Sequence, residues 1–123
     1  MIYGCGIDIE EAERFNKHYF QKGKLSDLIY DIFTTKEIEN FSYFGKEAFL
    51  KGFCFKEAFY KALNSDDLGY KDIEVIFYGE TEFEIFQSES IKTILKKLDI
   101  NRIDANVYSN NKYAIFKVIL FKA

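Results

Sequence analysis

The stretch from Glu47 to Leu63 carries the longest helical pattern in the chain, and it constrains the fold more than any other segment. Its apolar residues recur at three- and four-residue spacings and form one face: Phe55, Ala58, Phe59, Ala62 and Leu63. Three charged residues interrupt the same segment: Lys56, Glu57 and Lys61. A helix of this kind must bury its apolar face against a second layer, so the charges need an explanation of their own.

Short alternating patterns supply that second layer. They predict a strand from Ile2 to Ile9, a hairpin around Gly79-Glu80 and a second hairpin around Ser109-Asn110-Asn111. The paired segments of the two hairpins are 72–78 with 81–86 and 105–108 with 112–121. Gly4 and Gly6 in the first strand would let another backbone or a ligand approach closely.

Four further segments predict helices. The pattern becomes helical from Glu10, resumes over 25–33, starts again at the capping-box sequence Thr34-Thr35-Lys36-Glu37, and returns over 88–98. The order strand, helices, hairpin, helix, hairpin predicts an α+β fold in which an antiparallel sheet packs against helices. No repeat or linker divides the chain, so we expect residues 1–123 to form a single domain.

The charge balance excludes some classes of partner. The formal net charge is -3, which argues against binding to nucleic acid because nucleic acids attract basic surfaces. No stretch has the length of a membrane span, and the first residues lack the pattern of a signal peptide. Cys5 and Cys54 lie in apolar runs without the spacing of a zinc or redox site, so both are expected as buried free thiols. We therefore expect a cytoplasmic protein with no membrane partner.

A basic cluster nevertheless lies between Arg14 and Leu25. It contains the only histidine, His18, and four cations with no acidic residue among them: Arg14, Lys17, Lys22 and Lys24. On charge pattern alone, a solvated helix face is the simpler interpretation. A docking surface for an acidic partner is the functional one.

Three acidic residues form a candidate metal site. Asp8 and Glu10 are two positions apart at the end of the Gly-rich strand, so their side chains would point to the same face. With Glu57 they would offer the hard oxygen ligands that Mg²⁺ uses beside phosphates. Each pattern also has an ordinary interpretation. Acids at a strand end cap helices, and Glu57 with Lys61 has the spacing of a surface ion pair.

Several segments, taken in order, resemble the small holo-acyl-carrier-protein synthase group of the 4'-phosphopantetheinyl transferases. The similar segments are GIDIEEAERF, FTTKEIENF, FLKGFCFKEAFYKAL, DIEVIFYGE and YAIFKVI. The most specific parts are the GIDI strand and the aromatic-x-x-Lys-Glu-Ala-x-x-Lys helix, which here runs from Phe53 to Lys61. The resemblance covers most of the chain and implies the same single-domain fold.

The resemblance implies an enzyme of fatty acid biosynthesis that transfers 4'-phosphopantetheine from coenzyme A to a serine of an apo acyl carrier protein, releasing adenosine 3',5'-bisphosphate. It implies Mg²⁺ held by Asp8 and Glu57, and we expect Glu10 to add a third metal ligand. Lys61 would bind a phosphate of coenzyme A, with Lys56 supporting it, so both are expected to be cofactor-binding. The expected catalytic residues are Glu57, Lys61 and Glu10. The serine proton could pass to a water molecule on the metal, to Glu57 or to Glu10, and the sequence does not choose.

The resemblance also changes the interpretation of the basic cluster. Arg14 matches the family's arginine at the start of its carrier-binding helix. The expected docking surface for the acidic carrier protein is therefore made of Arg14, Lys17, Lys22 and Lys24. Small members of the family form trimers with an active site at each subunit interface, so we expect a homotrimer.

Four departures from the family pattern qualify these expectations. Glu10 replaces a short apolar residue, Lys51 is the only candidate for a missing arginine, Asn64-Ser65-Asp66-Asp67 replaces a Gly-Thr-Gly turn, and no histidine follows Tyr108. They leave open a weakened relative that binds a carrier protein or nucleotide without turnover, and an unrelated α+β interaction domain.

Overall fold

The computed structural model describes residues 1–21, 24–65 and 68–123. Seven strands and five helices are assigned in these ranges, together with one short 3-10 turn. The strands are β1 (Ile2–Glu11), β2 (Phe20–Gln21), β3 (Lys24–Leu25), β4 (Ile73–Phe77), β5 (Phe83–Gln87), β6 (Ile100–Ser109) and β7 (Tyr113–Lys122). The helices are α1 (Ala12–Tyr19), α2 (Asp27–Ile32), α3 (Thr35–Phe44), α4 (Lys46–Leu63) and α5 (Glu89–Lys97), and the 3-10 turn covers Tyr70–Asp72.

The predicted α+β fold is confirmed. The main sheet is antiparallel with strand order β1-β7-β6, so its central strand comes from the end of the chain and pairs with the first strand. Helix α4 lies across one face of this sheet and buries the five apolar residues that its spacing predicted. The hairpin of β4 and β5 forms a separate two-stranded sheet, and so do β2 and β3.

Boundaries differ from the predictions where strands pair. β1 continues to Glu11 because Glu10 and Glu11 pair with Ala114 and Tyr113 of β7. β6 begins at Ile100 rather than at residue 105, since its first residues pair with the end of β7. Helix α2 starts at Asp27 rather than at Leu25, because Leu25 pairs with Phe20 in the β2–β3 hairpin.

Two predicted helix ends are confirmed. The side chain of Thr34 accepts a hydrogen bond from the Glu37 backbone N–H at 3.2 Å, and the Glu37 carboxylate accepts one from the Thr34 N–H at 3.0 Å, which is the capping box. Helix α4 ends at Asn64 in the left-handed conformation, with φ of 56°. Asp66 and Asp67, the last two residues of the segment that replaces the Gly-Thr-Gly turn, lie outside the described residues.

Gly4 and Gly6 bring the backbone of α4 against β1. A Cβ atom on Gly4 would overlap the carbonyl oxygen of Ala62, and one on Gly6 would overlap the carbonyl oxygen of Ala58. The close neighbour that these glycines predicted is therefore a helix backbone rather than a ligand. This contact places the helix and the end of β1 side by side.

The other face of the main sheet is exposed and partly apolar. Ile7 is 52% exposed and Ile9 59% exposed, and Tyr108 is 62% exposed on β6. Cys5 points to this face, so the prediction of a buried thiol is wrong for Cys5 and confirmed for Cys54. Side chains along β1 alternate between the two faces of the sheet. Gly4, Gly6 and Asp8 face the helix, so Cys5 faces the other side. Among the described helices, none is both long and apolar enough to cross a membrane.

The glycine contact predicts a large effect of a single methyl group. Gly6→Ala is expected to lower the free energy of unfolding by about 1–3 kcal/mol or more, because the added Cβ meets helix backbone that cannot turn away. Gly69→Ala is the matched control: Gly69 has φ of -86°, a Cβ atom there would lie 3.7 Å from Asp72 Oδ2, and the expected change is within about 0.5 kcal/mol. Urea unfolding followed by circular dichroism measures both. Equal stability of the two variants would contradict the proposed contact.

Candidate active site

Asp8 is the most deeply placed acid of the site. It lies on the helix-facing side of β1, is 7% exposed, and its backbone carbonyl accepts a hydrogen bond from the Cys54 thiol at 3.0 Å. Burial is the main cause that raises the pKa of Cys54 well above its usual range, so the thiol stays a donor. The Asp8 carboxylate Oδ1 lies 2.9 Å from Lys61 Nζ, which also donates to the Ile7 carbonyl at 3.2 Å. This ion pair therefore connects β1 to α4 next to the contact at Gly4 and Gly6.

Glu10 lies on the same side of β1 and contacts the Asp8 carboxyl group. Burial first, then the hydrogen bond with Asp8 and the charges of Asp8 and Glu57, raise the pKa of Glu10 to about 8, and Lys61 opposes the shift only in part. The Asp8 Oδ2 atom is buried and meets no donor from a fixed protein group in the described ranges. With a pKa of about 8, Glu10 holds its proton near neutral pH, and the protonated carboxyl group can donate to Asp8.

Glu57 lies on α4, one turn before Lys61, and its partner is an aromatic hydroxyl. The Tyr70 O–H donates to Glu57 Oε1 at 2.8 Å. Burial and this hydrogen bond raise the pKa of Tyr70 well above its usual range. Burial, then the charges of Glu10 and Glu57, also raises the pKa of Tyr19. The structure therefore brings Glu57 into the electrostatic field of Asp8 and Glu10.

The surface ion pair between Glu57 and Lys61 is not among the ion pairs of the described residues. Lys61 instead turns toward Asp8, although the charge of Glu57 still helps to raise the lysine pKa after the Asp8 hydrogen bond. The Lys61 side chain is 53% exposed. Two of its three N–H groups donate to Asp8 and Ile7, so neither of these contacts uses the third N–H.

The structure does not bring Lys56 into this cluster. Lys56 is fully buried and forms an ion pair with Glu37 at 2.9 Å, while its other donors bind the carbonyls of Tyr70 and Ile73 at 2.7 and 2.6 Å. Burial lowers the pKa of Lys56, and the Glu37 carboxylate opposes that shift. All three of its donors are used in the interior, so the support that we expect from Lys56 would act through the backbone of the Tyr70–Asp72 turn.

The expected docking residues lie on one side of the acids. Arg14 and Lys17 are exposed on α1, and they line an open cleft of about 930 Å³ together with Glu10, Tyr19 and Phe53. Lys17 is also 3.8 Å from Glu13, in an exposed pair of little energetic weight. Lys24 is exposed on β3, at the end of the same segment, and Lys22 lies outside the described residues.

Lys51 does not replace the missing arginine at the site. It is buried and donates to the Glu80 carbonyl at 2.9 Å, under the β4–β5 hairpin. The sequence reasoning also missed Tyr19 and Tyr70, which the fold adds to the acid cluster. No local motif marked either residue, since Tyr70 meets Glu57 only because the chain returns across α4.

The donor set suits Mg²⁺, but the side chains are not arranged as a finished metal site. Within the described part of the chain, no group of three or more His, Cys, Asp and Glu side chains has the geometry to hold a metal ion. The chemistry nevertheless fits: Asp8 Oδ2 is a buried oxygen without a fixed donor, and Glu10 and Glu57 add two hard oxygen donors nearby. Glu10 would bind the ion once its proton has left.

Comparison with known proteins now identifies the class. The 4'-phosphopantetheinyl transferase superfamily model matches residues 4–116, and the chain belongs to this superfamily. It is 39% identical over 95 residues to a holo-[acyl-carrier-protein] synthase of Geobacter sp. strain M21, covering 71% of this chain and 74% of that protein. It is 29% identical to a holo-[acyl-carrier-protein] synthase of Ligilactobacillus salivarius, over 99% of this chain and 89% of the relative.

Solved structures agree in fold. The holo-[acyl-carrier-protein] synthase of Neisseria meningitidis matches with a TM-score of 0.81 and 25% identity, covering 99% of this chain and all of that one. The Helicobacter pylori holo-[acyl-carrier-protein] synthase in complex with coenzyme A matches with a TM-score of 0.77 and 21% identity, over 95% and 99% of the two chains. The predicted superfamily is thus confirmed, and an unrelated interaction domain is excluded.

The raised pKa of Glu10 predicts that the stability of the metal-free protein depends on pH. The Glu10 pKa is about 8 in the folded chain, above its ordinary value of 4.5, so the stabilisation is complete below that ordinary value. It is lost as the pH rises through the folded value. Relative to Glu10→Gln, the wild-type free energy of unfolding should therefore fall between about pH 5 and pH 9. Urea unfolding in the presence of a chelator measures the difference.

Glu11→Gln provides the matched control, because Glu11 is the next strand residue and is exposed. It should not reproduce the change. A wild-type protein and a Glu10→Gln variant whose stabilities run parallel across this pH range would show that Glu10 does not hold the extra proton.

Proposed function

We propose that this chain transfers 4'-phosphopantetheine from coenzyme A to a serine of an apo acyl carrier protein and releases adenosine 3',5'-bisphosphate. The observation that carries the proposal is the cluster of Asp8, Glu10, Glu57 and Lys61, formed in a superfamily fold where β1 meets α4. The cluster combines a lysine for a phosphate with acids for a metal ion and a proton. These are the groups that an attack on a pyrophosphate requires.

Lys61 is the proposed phosphate-binding residue. Its side chain is half exposed, and one of its three donors is not used by Asp8 or Ile7. As a compact cation on a flexible stem, it can pair with a phosphate oxygen while its remaining donors stay on β1. Lys56 would contribute to coenzyme binding only indirectly, through the segment whose carbonyls it binds.

Asp8, Glu10 and Glu57 are the residues that would hold Mg²⁺. When bound, the ion would supply positive charge that neutralises the pyrophosphate oxygens and stabilises the leaving phosphate. Asp8 contributes the buried Oδ2 atom, and Glu10 contributes once its proton has left. Because Glu10 holds a proton near neutral pH, cation binding should compete with that proton.

Glu57 is the proposed acceptor for the serine proton. In the reaction the serine oxygen forms a bond to the β-phosphorus, and the bond from that phosphorus to the bridging oxygen breaks. The bridging oxygen leaves with adenosine 3',5'-bisphosphate. Glu10 would bind the ion once its own proton has left, so Glu57 is the acid whose second oxygen, the one not bound to Tyr70, can take the serine proton.

The basic cluster on α1 is the proposed docking surface for the carrier protein. Arg14 and Lys17 line the cleft that leads to Glu10, so an acidic helix bound there would approach the acids directly. Lys24 would extend this surface, and Lys22 is assigned to it from the sequence alone. Opposite charge would also speed the encounter between enzyme and carrier.

We further propose a homotrimer in the cytoplasm, acting in fatty acid biosynthesis. The exposed apolar residues on the outer face of the main sheet, among them Ile7, Ile9 and Tyr108, support contact with another subunit. Ile9 lies between Asp8 and Glu10 and lines the cleft, so a subunit on this face would border the active site.

Mass spectrometry of apo acyl carrier proteins, incubated with coenzyme A and Mg²⁺, tests the function. The wild-type chain should add one phosphopantetheine to a carrier, and only with metal. Asp8→Asn should lower the rate by about 100-fold or more, because it removes the charge of the central acid. Arg14→Glu should instead raise the KM for the carrier and leave kcat within about twofold, as expected for a docking residue.

Lys112→Glu serves as the charge-matched control, since Lys112 is exposed at the β6–β7 turn. It should leave both constants within about twofold. Binding of coenzyme A and carrier without any mass gain would support the alternative of a weakened relative. Retention of full activity by Asp8→Asn would contradict the proposed mechanism.

A further inference from the structure

Glu57 is held by a residue that its own helix does not supply. The Tyr70 hydroxyl donates to Glu57 Oε1 at 2.8 Å from the 3-10 turn that leads into β4. This contact fixes one carboxylate oxygen and leaves Oε2 for a ligand or a proton. A glutamate with three rotatable bonds loses most of its choice of position when one oxygen is bound in this way.

The backbone of Tyr70 is fixed from the residue beside Glu57. Lys56 donates to the Tyr70 carbonyl at 2.7 Å and to the Ile73 carbonyl at 2.6 Å. It therefore binds the first residue of the 3-10 turn and the residue that follows the turn. Lys56 is itself held by Glu37, whose other oxygen accepts the Val75 N–H at 2.9 Å. Lys56 and Glu57, which are successive residues of α4, therefore both bind Tyr70. Lys56 binds its backbone carbonyl, and Glu57 binds its side-chain hydroxyl.

The ring of Tyr70 is fixed as well. It lies against Phe53 and Tyr60 of α4, with ring centroids 6.2 and 6.3 Å apart. The Tyr60 hydroxyl donates to the Gly69 carbonyl, and the Asp72 carboxylate accepts the Gly69 N–H at 2.9 Å. The hydroxyl of Tyr70 is thus presented to Glu57 by a rigid turn rather than by a free side chain.

We propose that Tyr70 is a positioning residue for Glu57, and that the buried Lys56–Glu37 pair holds Tyr70 in place for this purpose. The proposal rests on the proposed function and deepens it, because it assigns a task to the first lysine of the Lys-Glu-Ala helix. Charge in the interior of α4 is explained by this role, because Lys56 binds the turn and Glu37 and thereby determines the position of the neighbouring carboxylate.

Tyr70→Phe tests the proposal, since it keeps the ring and removes only the hydroxyl. We expect kcat of the transfer reaction to fall by about tenfold or more, with the KM values for coenzyme A and carrier within about twofold. Tyr78→Phe is the matched control. It also removes a hydroxyl that donates to a glutamate, but that glutamate is Glu84 of the β4–β5 hairpin, at 3.1 Å, and not Glu57. Its kcat should stay within about threefold of wild type.

A second readout needs no turnover. Titration with Mn²⁺, followed by electron paramagnetic resonance, should show binding about tenfold weaker in Tyr70→Phe than in wild type, as expected when a partner that orients a metal ligand is lost. Tyr78→Phe should bind as wild type does. Thermal unfolding of both variants checks that each is folded.

The outcomes separate this inference from the proposed function. An active wild type with Tyr70→Phe unchanged in kcat and in Mn²⁺ affinity would overturn the positioning role and leave the function standing. An inactive wild type would overturn the function, while a selective loss of Mn²⁺ affinity in Tyr70→Phe would still support the positioning of Glu57. Equal losses in the two phenylalanine variants would overturn the inference.

Discussion

The contact between two glycines of β1 and the backbone of α4 is the constraint on which the site depends. Gly4 and Gly6 let the helix lie closer to the strand than any side chain would permit. Asp8 follows two residues later on the same face, and Lys61 reaches it from the helix at 2.9 Å. The distance between acid and lysine is therefore set by the packing of two backbones, which is more rigid than a contact between two surface side chains.

The cluster contains three acids and one lysine, so the lysine does not neutralise it. A proton on one of the acids, or a second cation, would relieve the repulsion between the carboxylates. In this structure that acid is Glu10, whose pKa is raised to about 8 by burial and by its acidic neighbours. The extra acid at this position would couple proton binding to the proposed metal binding, so the affinity for a divalent cation should increase as the pH rises.

Local patterns predicted most of the fold, and contacts between distant residues account for most of what they missed. Helix α4, the Thr34 capping box and both hairpins follow from spacing and turn residues within short windows. The pairing of β1 with β7 and the burial of Lys56 depend on partners far along the chain, which no local pattern specifies. For the site, spacing placed Asp8 and Glu10 together, ligand chemistry added Glu57, and resemblance to a family added Lys61 as a phosphate-binding residue. Tyr70 was missed because its contact with Glu57 exists only in the folded chain.

Calorimetric titration with Mg²⁺ at pH 7, repeated in buffers of different ionisation enthalpy, tests the central claim most directly. If Glu10 holds a proton that the metal ion displaces, binding should release close to one proton in the wild type and none in Glu10→Gln. Mg²⁺ binding without proton release, or no detectable binding of Mg²⁺ to the wild-type chain, would contradict the account of this site.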